Sequence, residues 1–457
     1  MIELTVMDAT WVKTNREGCD ALNNLLSYND CYFRKTGYGP EKVIQKCFCI
    51  ETGEDNETFY FLSGFLDKCL ACLDRWKLTY SLENLTSEVD IWPPHIEGYE
   101  FRAYQEDLIE KAIDGGRGLI VSPTGTGKSV ALLGVMSAFR ESNILFLVHT
   151  NDLIDQLYSD ITTAFPKENI GHYTGKKKNR QRITLATIQT WHKKATEFSD
   201  WADVIIIDEA HHVSDFWGMY GKVLANATAL TKLGFTATIG TSEKARFAAE
   251  GLLGPVIGEF KNQEAMDRGV IHTPDIWIYT IAENPHCSGE YRDKYLLGIT
   301  TNLVRNLKII AIAKKLIKMG KTCLITITSI EHGNILQEMA VGQGLDIPFV
   351  YGESSKAERD FVKDGLSDGT LRCAIASVIF IEGIDIPSLD SVINAGAGKS
   401  AIQSVQRSGR ALRKADGKTE AIIVDFLDQV CSTFQRQSEE RFKVYKSRGY
   451  KLFFKKG

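Results

Sequence analysis

The stretch "GLIVSPTGTGKS", Gly118–Ser129, decides the fold. Gly118–Val121 is a short apolar run of the kind that forms a buried strand. Pro123, Thr124, Gly125, Thr126 and Gly127 then make a flexible turn whose backbone N–H groups can face an anion. Lys128 and Ser129 open a helical pattern, "SVALLGVMSAF", so a helix N-terminus points at the same place. Strand, glycine loop and helix in this order predict a phosphate-binding loop in a parallel α/β sheet. Lys128 is placed to reach the β- and γ-phosphates of ATP, and Ser129 to ligate Mg²⁺. Ser122 stands where the strict pattern has glycine, and it stays small.

A second Gly-Lys-Ser closes "INAGAGKS", Ile393–Ser400. Ile393 is bulky and reads as the end of a strand, which leaves too short a loop to wrap a phosphate chain. The first loop also has a partner that the second lacks. "DVIIIDEAHH" is a buried strand that ends in adjacent carboxylates, Asp208 and Glu209. Asp208 can hold the magnesium hydration shell, and Glu209 can take a proton from an attacking water.

From Phe101 onward, apolar runs alternate with helical patterns in two series. "GLIVS", "NILFLVH", "RITLATI", "DVIIIDEA" and "TKLGFTAT" form the first; "TCLITIT", "IPFVYG", "RCAIAS", "SVINAG" and "EAIIVDF" form the second. Such alternation predicts two parallel-sheet lobes, with helices on their faces. Residues 1–90 read as a separate small α+β domain behind the Pro93–Pro94 linker, residues 91–280 as the first lobe, and residues 281–457 as the second lobe with a basic tail.

The chain has 457 residues and a net charge of -4, so its total charge does not advertise nucleic-acid binding. No apolar run is long enough for a membrane span, and the N-terminus has no signal pattern, which together predict an intracellular, cytoplasmic protein. Six of the 10 cysteines fall in the first 72 residues, with Cys47 and Cys49 as C-x-C and Cys69 and Cys72 as C-x-x-C. They can be read as a zinc site or as small buried hydrophobes on a strand and an amphipathic helix, and the pattern favours the second. The basic run "GKKKNRQR", with Lys176, Lys177, Lys178, Arg180 and Arg182, reads equally as a phosphate-contacting loop and as a solvated one.

"FRAYQ", "SPTGTGKS", "LVHTNDLIDQ", "TLATIQT", "DEAH", "TAT", "ASVIFIEGIDIP" and "QRSGRALR" occur in that order from Phe101 to Asp428. This succession resembles the superfamily 2 helicases, and among them the phage branched-DNA helicases of the UvsW type. The resemblance implies two RecA-like lobes, ATP and Mg²⁺ as cofactors, and a monomeric motor on DNA, with forks or junctions as the favoured form. A duplex translocase without strand separation and an RNA helicase are its alternatives.

Residue by residue, the resemblance implies that Gln105 bonds adenine, with Arg102 or Phe101 beside the base. Gly383 and Asp385 approach the nucleotide from the second lobe, and Gln406, Arg410 and Arg413 face the γ-phosphate. Arg413 can also be read as a solvated helix end. His211 and Thr236 link hydrolysis to the nucleic-acid surface. Thr150, Thr187 and Gln189 in the first lobe, and Ser329, Gly352 and Ser377 in the second, grip the nucleic-acid backbone. In the N-terminal segment, Arg34, Lys35, Tyr38, Lys42 and Lys46 interleave bases with an aromatic and are the candidate for choosing the DNA structure.

Overall fold

The computed structural model describes residues 1–36, 39–86, 89–240, 242–271, 274–284, 286–377, 386, 389–398 and 421–455, with the side chains of residues 31–42 excepted. The chain forms two compact units, residues 1–122 with 127–260, and residues 123–126 with 261–457. Among the described residues no single helix is long and apolar enough to cross a membrane.

The first unit holds an eight-stranded sheet. Its strands are β8 (Arg117–Val121), β9 (Ile144–Val148), β10 (Ile170–Tyr173), β11 (Lys178–Asn179), β12 (Ile183–Thr187), β13 (Val204–Asp208), β14 (Thr231–Thr236) and β15 (Val256–Glu259). Their spatial order is β11-β10-β12-β9-β13-β14-β8-β15. Every neighbouring pair is parallel except β10 with β11. The central strands are buried on both faces, which is why "NILFLVH" and "DVIIIDEA" are continuous apolar runs with no alternation.

The same unit carries β1 (Ile2–Val6), β2 (Trp11–Thr14), β5 (Ile50–Thr52), β6 (Phe59–Leu62) and β7 (Tyr80–Asn84) as a five-stranded sheet in the order β5-β6-β2-β1-β7. A long antiparallel hairpin, β3 (Ser27–Thr36) with β4 (Gly39–Phe48), stands as its own two-stranded sheet. The sequence reading set Cys69 and Cys72 on an amphipathic helix, which is the helix Leu66–Trp76, but it did not find this hairpin. It crosses the very segment whose basic residues were singled out.

The small sheet is not a separate domain. One hydrophobic core runs from Leu4, Val12, Phe61, Phe65 and Cys69 into Leu224, Ala248 and Leu252 of the larger sheet's layer. Phe65 meets Phe247 at 5.0 Å between ring centres, and Tyr28 meets Phe216 and Phe247 at 5.9 and 5.8 Å. Polar ties cross the same seam. Arg117, on β8, donates to the carbonyls of Ala9, Leu252 and Leu253 and to the Ser63 hydroxyl. Lys232, on β14, is fully buried and spends its ammonium on Thr10 Oγ1, Leu224 O and Ala227 O. Pro93 and Pro94 do not mark a free tether either. Trp92 N–H donates to Ala138 O and His95 N–H to Ser137 Oγ, so this stretch lies along the helix Lys128–Ala138.

The second unit holds β16 (Asp275–Ile281), β17 (Cys323–Ile327), β18 (Phe349–Val350), β19 (Cys373–Ser377), β20 (Ser391–Asn394), β21 (Ile422–Asp428) and β22 (Lys451–Lys455). Their order is β18-β19-β17-β20-β21-β16-β22, and all pairs are parallel. A boundary at residue 280 is therefore corrected. The strand Asp275–Ile281 pairs with β21 and β22, and the first unit ends at Phe260. The end of the chain, read as a basic tail, contributes the helix Ser432–Ser447 and the strand β22.

Two buried arginines organise this unit. Arg305 pairs with Asp428 (Nε–Oδ1 2.8 Å) and donates to Ala395 O at 2.7 Å. Arg441 binds Asp425 through Nε and Nη2, at 3.0 and 2.9 Å, and donates to Gly398 O at 3.2 Å. Both ends of the Ala395–Gly398 loop are thus held by guanidinium groups that carboxylates of β21 orient. Ile393 is fully buried inside β20, as the sequence reading of "INAGAGKS" required. Lys399 lies outside the described residues.

The seam gives a direct test. A Cβ on Gly64 would lie 2.1 Å from Glu250 O, a backbone atom that cannot step aside. Gly64→Ala is expected to cost about 1–3 kcal/mol, as overpacking in a dense core does, read from thermal or denaturant unfolding. A fragment starting at residue 91 is expected to aggregate or lose ATP turnover. A soluble fragment with the parent rate would refute the shared core.

The second unit has its own pH signature. Burial, with the Arg305 charge second, pushes His332 down to about 3. The ring is neutral in the fold and bonds Asn306 Oδ1 at 2.9 Å. An unfolded histidine takes up a proton below about pH 6.5, so this contribution is full above that pH and drains away as pH falls toward 3. The stability gap between the parent and His332→Gln should therefore narrow between about pH 7 and pH 4.5. A gap independent of pH would contradict it.

Candidate nucleotide and nucleic-acid site

The site is assembled at the carboxyl ends of the first unit's parallel strands. β8 ends at Val121, and Ser122 N–H donates to Thr236 O at 3.0 Å, which ties the start of the loop to the end of β14. Within the loop, the Thr126 hydroxyl donates to Pro123 O at 2.8 Å. Gly125 and Gly127 have φ of 89° and 77°, values that L side chains rarely adopt, so the turn needs glycine at both places. Gly127 caps the helix Lys128–Ala138, leaving that helix's first N–H groups free to face an anion.

Lys128 lies between the two carboxylates. Its Nζ is 2.9 Å from Asp208 Oδ1 and 3.5 Å from Glu209 Oε1. Burial alone works against the ammonium, but the charges of Asp208 and then Glu209 outweigh it and hold its pKa above the ordinary lysine value. Asp208 ends β13 and accepts from Glu209 N–H at 2.9 Å. Glu209 sits in the left-handed region at φ 55°, one of three non-glycine residues with positive φ among those described. That conformation costs on the order of 1–3 kcal/mol and clusters at functional sites. It turns the chain out of the strand into the short 3₁₀ turn Ala210–His212.

His211 Nδ1 is 3.3 Å from Glu209 Oε2 and 3.4 Å from Thr236 Oγ1. Thr236 in turn donates to Thr238 O at 2.8 Å. The His211 and Thr236 pair singled out in the sequence is therefore in contact.

Gln105 is buried beneath the loop. Its Oε1 accepts from Arg102 N–H at 3.0 Å, and its Nε2 donates to Gly127 O at 3.4 Å. Arg102 donates to the Tyr104 hydroxyl at 3.2 Å. The structure thus joins Gln105 to the phosphate loop itself, a contact the sequence reading did not foresee.

Thr150, Thr187 and Gln189 come together. β9 and β12 are neighbours, with Val148 opposite Thr187. Thr150 caps the helix Asn151–Ala164 by accepting from Leu153 N–H. Thr187 Oγ1 bonds Thr190 Oγ1, and Gln189 Nε2 donates to His149 O at 2.8 Å. In the second unit, Ser329 follows β17, Gly352 follows β18 and Ser377 ends β19, three neighbouring parallel strands. The Ser377 hydroxyl is buried and has no partner among the described residues. Gly383, Asp385, Gln406, Arg410 and Arg413 lie outside the described residues.

The basic run at Lys176–Arg182 is largely engaged within the protein. Arg180 stacks over Phe198 at 4.0 Å, Lys178 over Tyr173 at 4.7 Å, and Arg182 pairs with Glu168 at 2.6 Å. Lys176 and Lys177 stay exposed. Cys69 is buried in the shared core, and burial pushes its thiol up to about 12.

The oxygen donors fit a hard cation. The Asp208 carboxylate and the Ser129 hydroxyl are a donor set for Mg²⁺, and Lys128 shows that a positive charge is already favoured there.

Comparison with known proteins agrees with this geometry. Residues 98–241 match the family model for the type III restriction enzyme res subunit, and residues 307–415 match the helicase conserved C-terminal domain. A putative DNA 3'-5' helicase Rad25 of Haloarcula marismortui is 28% identical over 329 residues, 69% of this chain and 50% of the relative. The chain thus spans about half the length of that relative. The ATP-dependent Type ISP restriction-modification enzyme LlaBIII bound to DNA is similar in structure, with a TM-score of 0.56, 15% identity, and coverage of 84% of this chain and 34% of that one. The crystal structure of T4 UvsW covers 99% of both chains at a TM-score of 0.44 and 17% identity. With both sheets RecA-like and both helicase models matched in chain order, the chain carries the paired domains found in the superfamily 2 helicases.

Proposed function

We propose that the chain is an ATP-hydrolysing DNA motor that remodels or unwinds branched DNA. The observation that carries this reading is the convergence of Lys128, Asp208 and Glu209 at one strand edge, beside the Thr150, Thr187 and Gln189 cluster. In this reading ATP replaces the carboxylates as the partner of Lys128, and the amides at the start of the helix Lys128–Ala138 receive its phosphates. Mg²⁺, held by Ser129 and Asp208, would neutralise phosphate charge. Glu209 takes the proton of the attacking water. Gln406, Arg410 and Arg413 face the γ-phosphate in this reading, the two arginines supplying positive charge to the transition state, with Gly383 and Asp385 near the nucleotide.

Small hydroxyls and amides at strand ends hold phosphates without reading bases, so the grip is independent of sequence. Ser329, Gly352 and Ser377 repeat that chemistry in the second unit. The name of the Haloarcula relative supports DNA over RNA and a 3′-to-5′ direction. The N-terminal residues Arg34, Lys35, Tyr38, Lys42 and Lys46, bases interleaved with an aromatic, are proposed to favour junctions over linear DNA.

Turnover should rise with DNA and much less with RNA of matched length and salt. A four-way junction or fork should stimulate more than linear duplex, and a 3′-tailed duplex should be opened in preference to a 5′-tailed one. Equal stimulation by linear and branched DNA, without strand separation, would favour a duplex translocase; stimulation by RNA alone would sink the DNA reading.

Substitutions in the site separate its roles. Lys128→Ala should abolish hydrolysis, because the carboxylate pair lies beside it, and Lys399→Ala should not, because the loop after Ile393 is too short to wrap a phosphate chain. Glu209→Gln should bind ATP but turn over at least about 100-fold more slowly, since the amide cannot accept a proton. Hydrolysis by Glu209→Gln at the parent rate would put the base elsewhere.

A further inference from the structure

Three imidazoles line up behind the carboxylates. The His211 and His212 ring centres are 4.3 Å apart, and those of His212 and His149 are 4.0 Å apart. His211 is the member that touches Glu209 and Thr236. His149 is the residue just after β9, next to Thr150, and its carbonyl accepts from Gln189 Nε2. A chain of touching groups therefore runs from Glu209 through His211, His212 and His149 to Thr150 and Gln189. The first end faces the site of hydrolysis and the second lies among the candidate backbone contacts.

We infer that His149 and His212 are positioning residues that couple the state of Glu209 to the DNA-gripping strand ends, an inference that rests on the DNA-motor reading above. The packing gives the reason. The turn Ala210–His212 cannot rise toward the sheet, because β14 passes so closely that a Cβ on Gly234 would lie 2.7 Å from Ala210 Cβ. Glu209 is held in a strained left-handed conformation. When its partners change between the nucleotide-free and ATP-bound states, displacement of the turn has to be taken up sideways, along the rings. Side chains packed in contact shift together, since a gap of about 0.5–1 Å already forfeits roughly a quarter to a half of their attraction. The far ring is part of the residue whose carbonyl is tied to Gln189, so movement of His149 re-aims Thr150 and Gln189. His149 and His212 need touch neither ATP nor DNA.

A line of contacts is not yet a coupling, and the measurement has to read coupling itself. His149→Ala, His212→Ala and the double variant are made in the full chain, together with His149→Phe, which keeps a ring. Turnover is measured without DNA and with saturating single-stranded DNA. DNA affinity is measured at fixed salt, with and without a non-hydrolysable ATP analogue. Each single variant is expected to keep its DNA-free rate within about two-fold and to lose about ten-fold or more of the DNA-stimulated increment. The double variant should be no worse than the singles, the non-additivity of residues acting in one chain. His149→Phe should recover most of the increment, and the ATP-dependent change in DNA affinity should shrink in both alanine variants. Retained stimulation, additive losses, or a DNA-free rate that falls as far as the stimulated one would overturn the inference. A parent protein whose turnover ignores DNA fails at the first measurement, and that failure belongs to the DNA-motor reading.

Discussion

The constraint on which this structure depends is the direction of its strands. In a parallel sheet each strand begins where the last one began, so the chain must return across a face after every strand. All carboxyl ends then lie along one edge. In the first unit that edge collects Ser122, His149, Thr187, Asp208 and Thr236 from strands far apart in sequence. Loops on this edge lie outside the sheet's own hydrogen-bond ladder, which leaves backbone groups there available for ligands. The second unit repeats the arrangement with Ser329, Gly352 and Ser377.

Because that edge concentrates polar groups against a dry sheet, its charges have to be paired. Lys128 satisfies this with Asp208 and Glu209. Deeper charges are used differently. Arg305 and Arg441 are fully paired with Asp428 and Asp425, and each has a donor left over for a loop carbonyl. Burial opposes the Arg441 charge, yet Asp425 more than restores it and raises its pKa. A guanidinium cannot leave such a site without stranding a carboxylate, so the ends of the Ala395–Gly398 loop are fixed firmly.

The legible part of this molecule was the part with a local signal. Continuous apolar runs named the central strands, and the glycine loop named its own turn, because φ near 80° at Gly125 and Gly127 admits little else. The order of these elements carried the site too, since a strand ending in Asp208 can meet Lys128 only if both strands point the same way. The illegible part depended on distant partners. The hairpin Ser27–Phe48 mixes polar and charged residues and has no strict alternation to mark it. Lys232 looks like an ordinary surface lysine until Thr10 and Ala227 are seen around it. His149 and His212 carry no spacing that links residues so far apart in the chain. The doubled histidine was visible at His211–His212, but the third ring was not.

The seam between the small sheet and the larger one changes what the N-terminal segment can do. A lysine buried without a carboxylate is held well below its ordinary pKa, first by burial and then by the Arg117 charge. Such a group is tolerated only where its acceptors are already in place, here Thr10 from the turn before β2 and the carbonyls of Leu224 and Ala227 at the end of the helix Met219–Asn226. Arg117 makes the same demand on Ala9 and Ser63. The two layers therefore specify one another, and neither side can detach without exposing unsatisfied donors and the apolar face around Phe65 and Phe247. The hairpin inherits this rigidity, since Tyr28 near its base packs on Phe216 and Phe247, and Asp30 meets Lys244 on the helix Glu243–Leu253. The base of the hairpin is thus part of the first unit's packed layer. The DNA preference proposed for this segment would therefore act through an anchored base and not through a flexible tether.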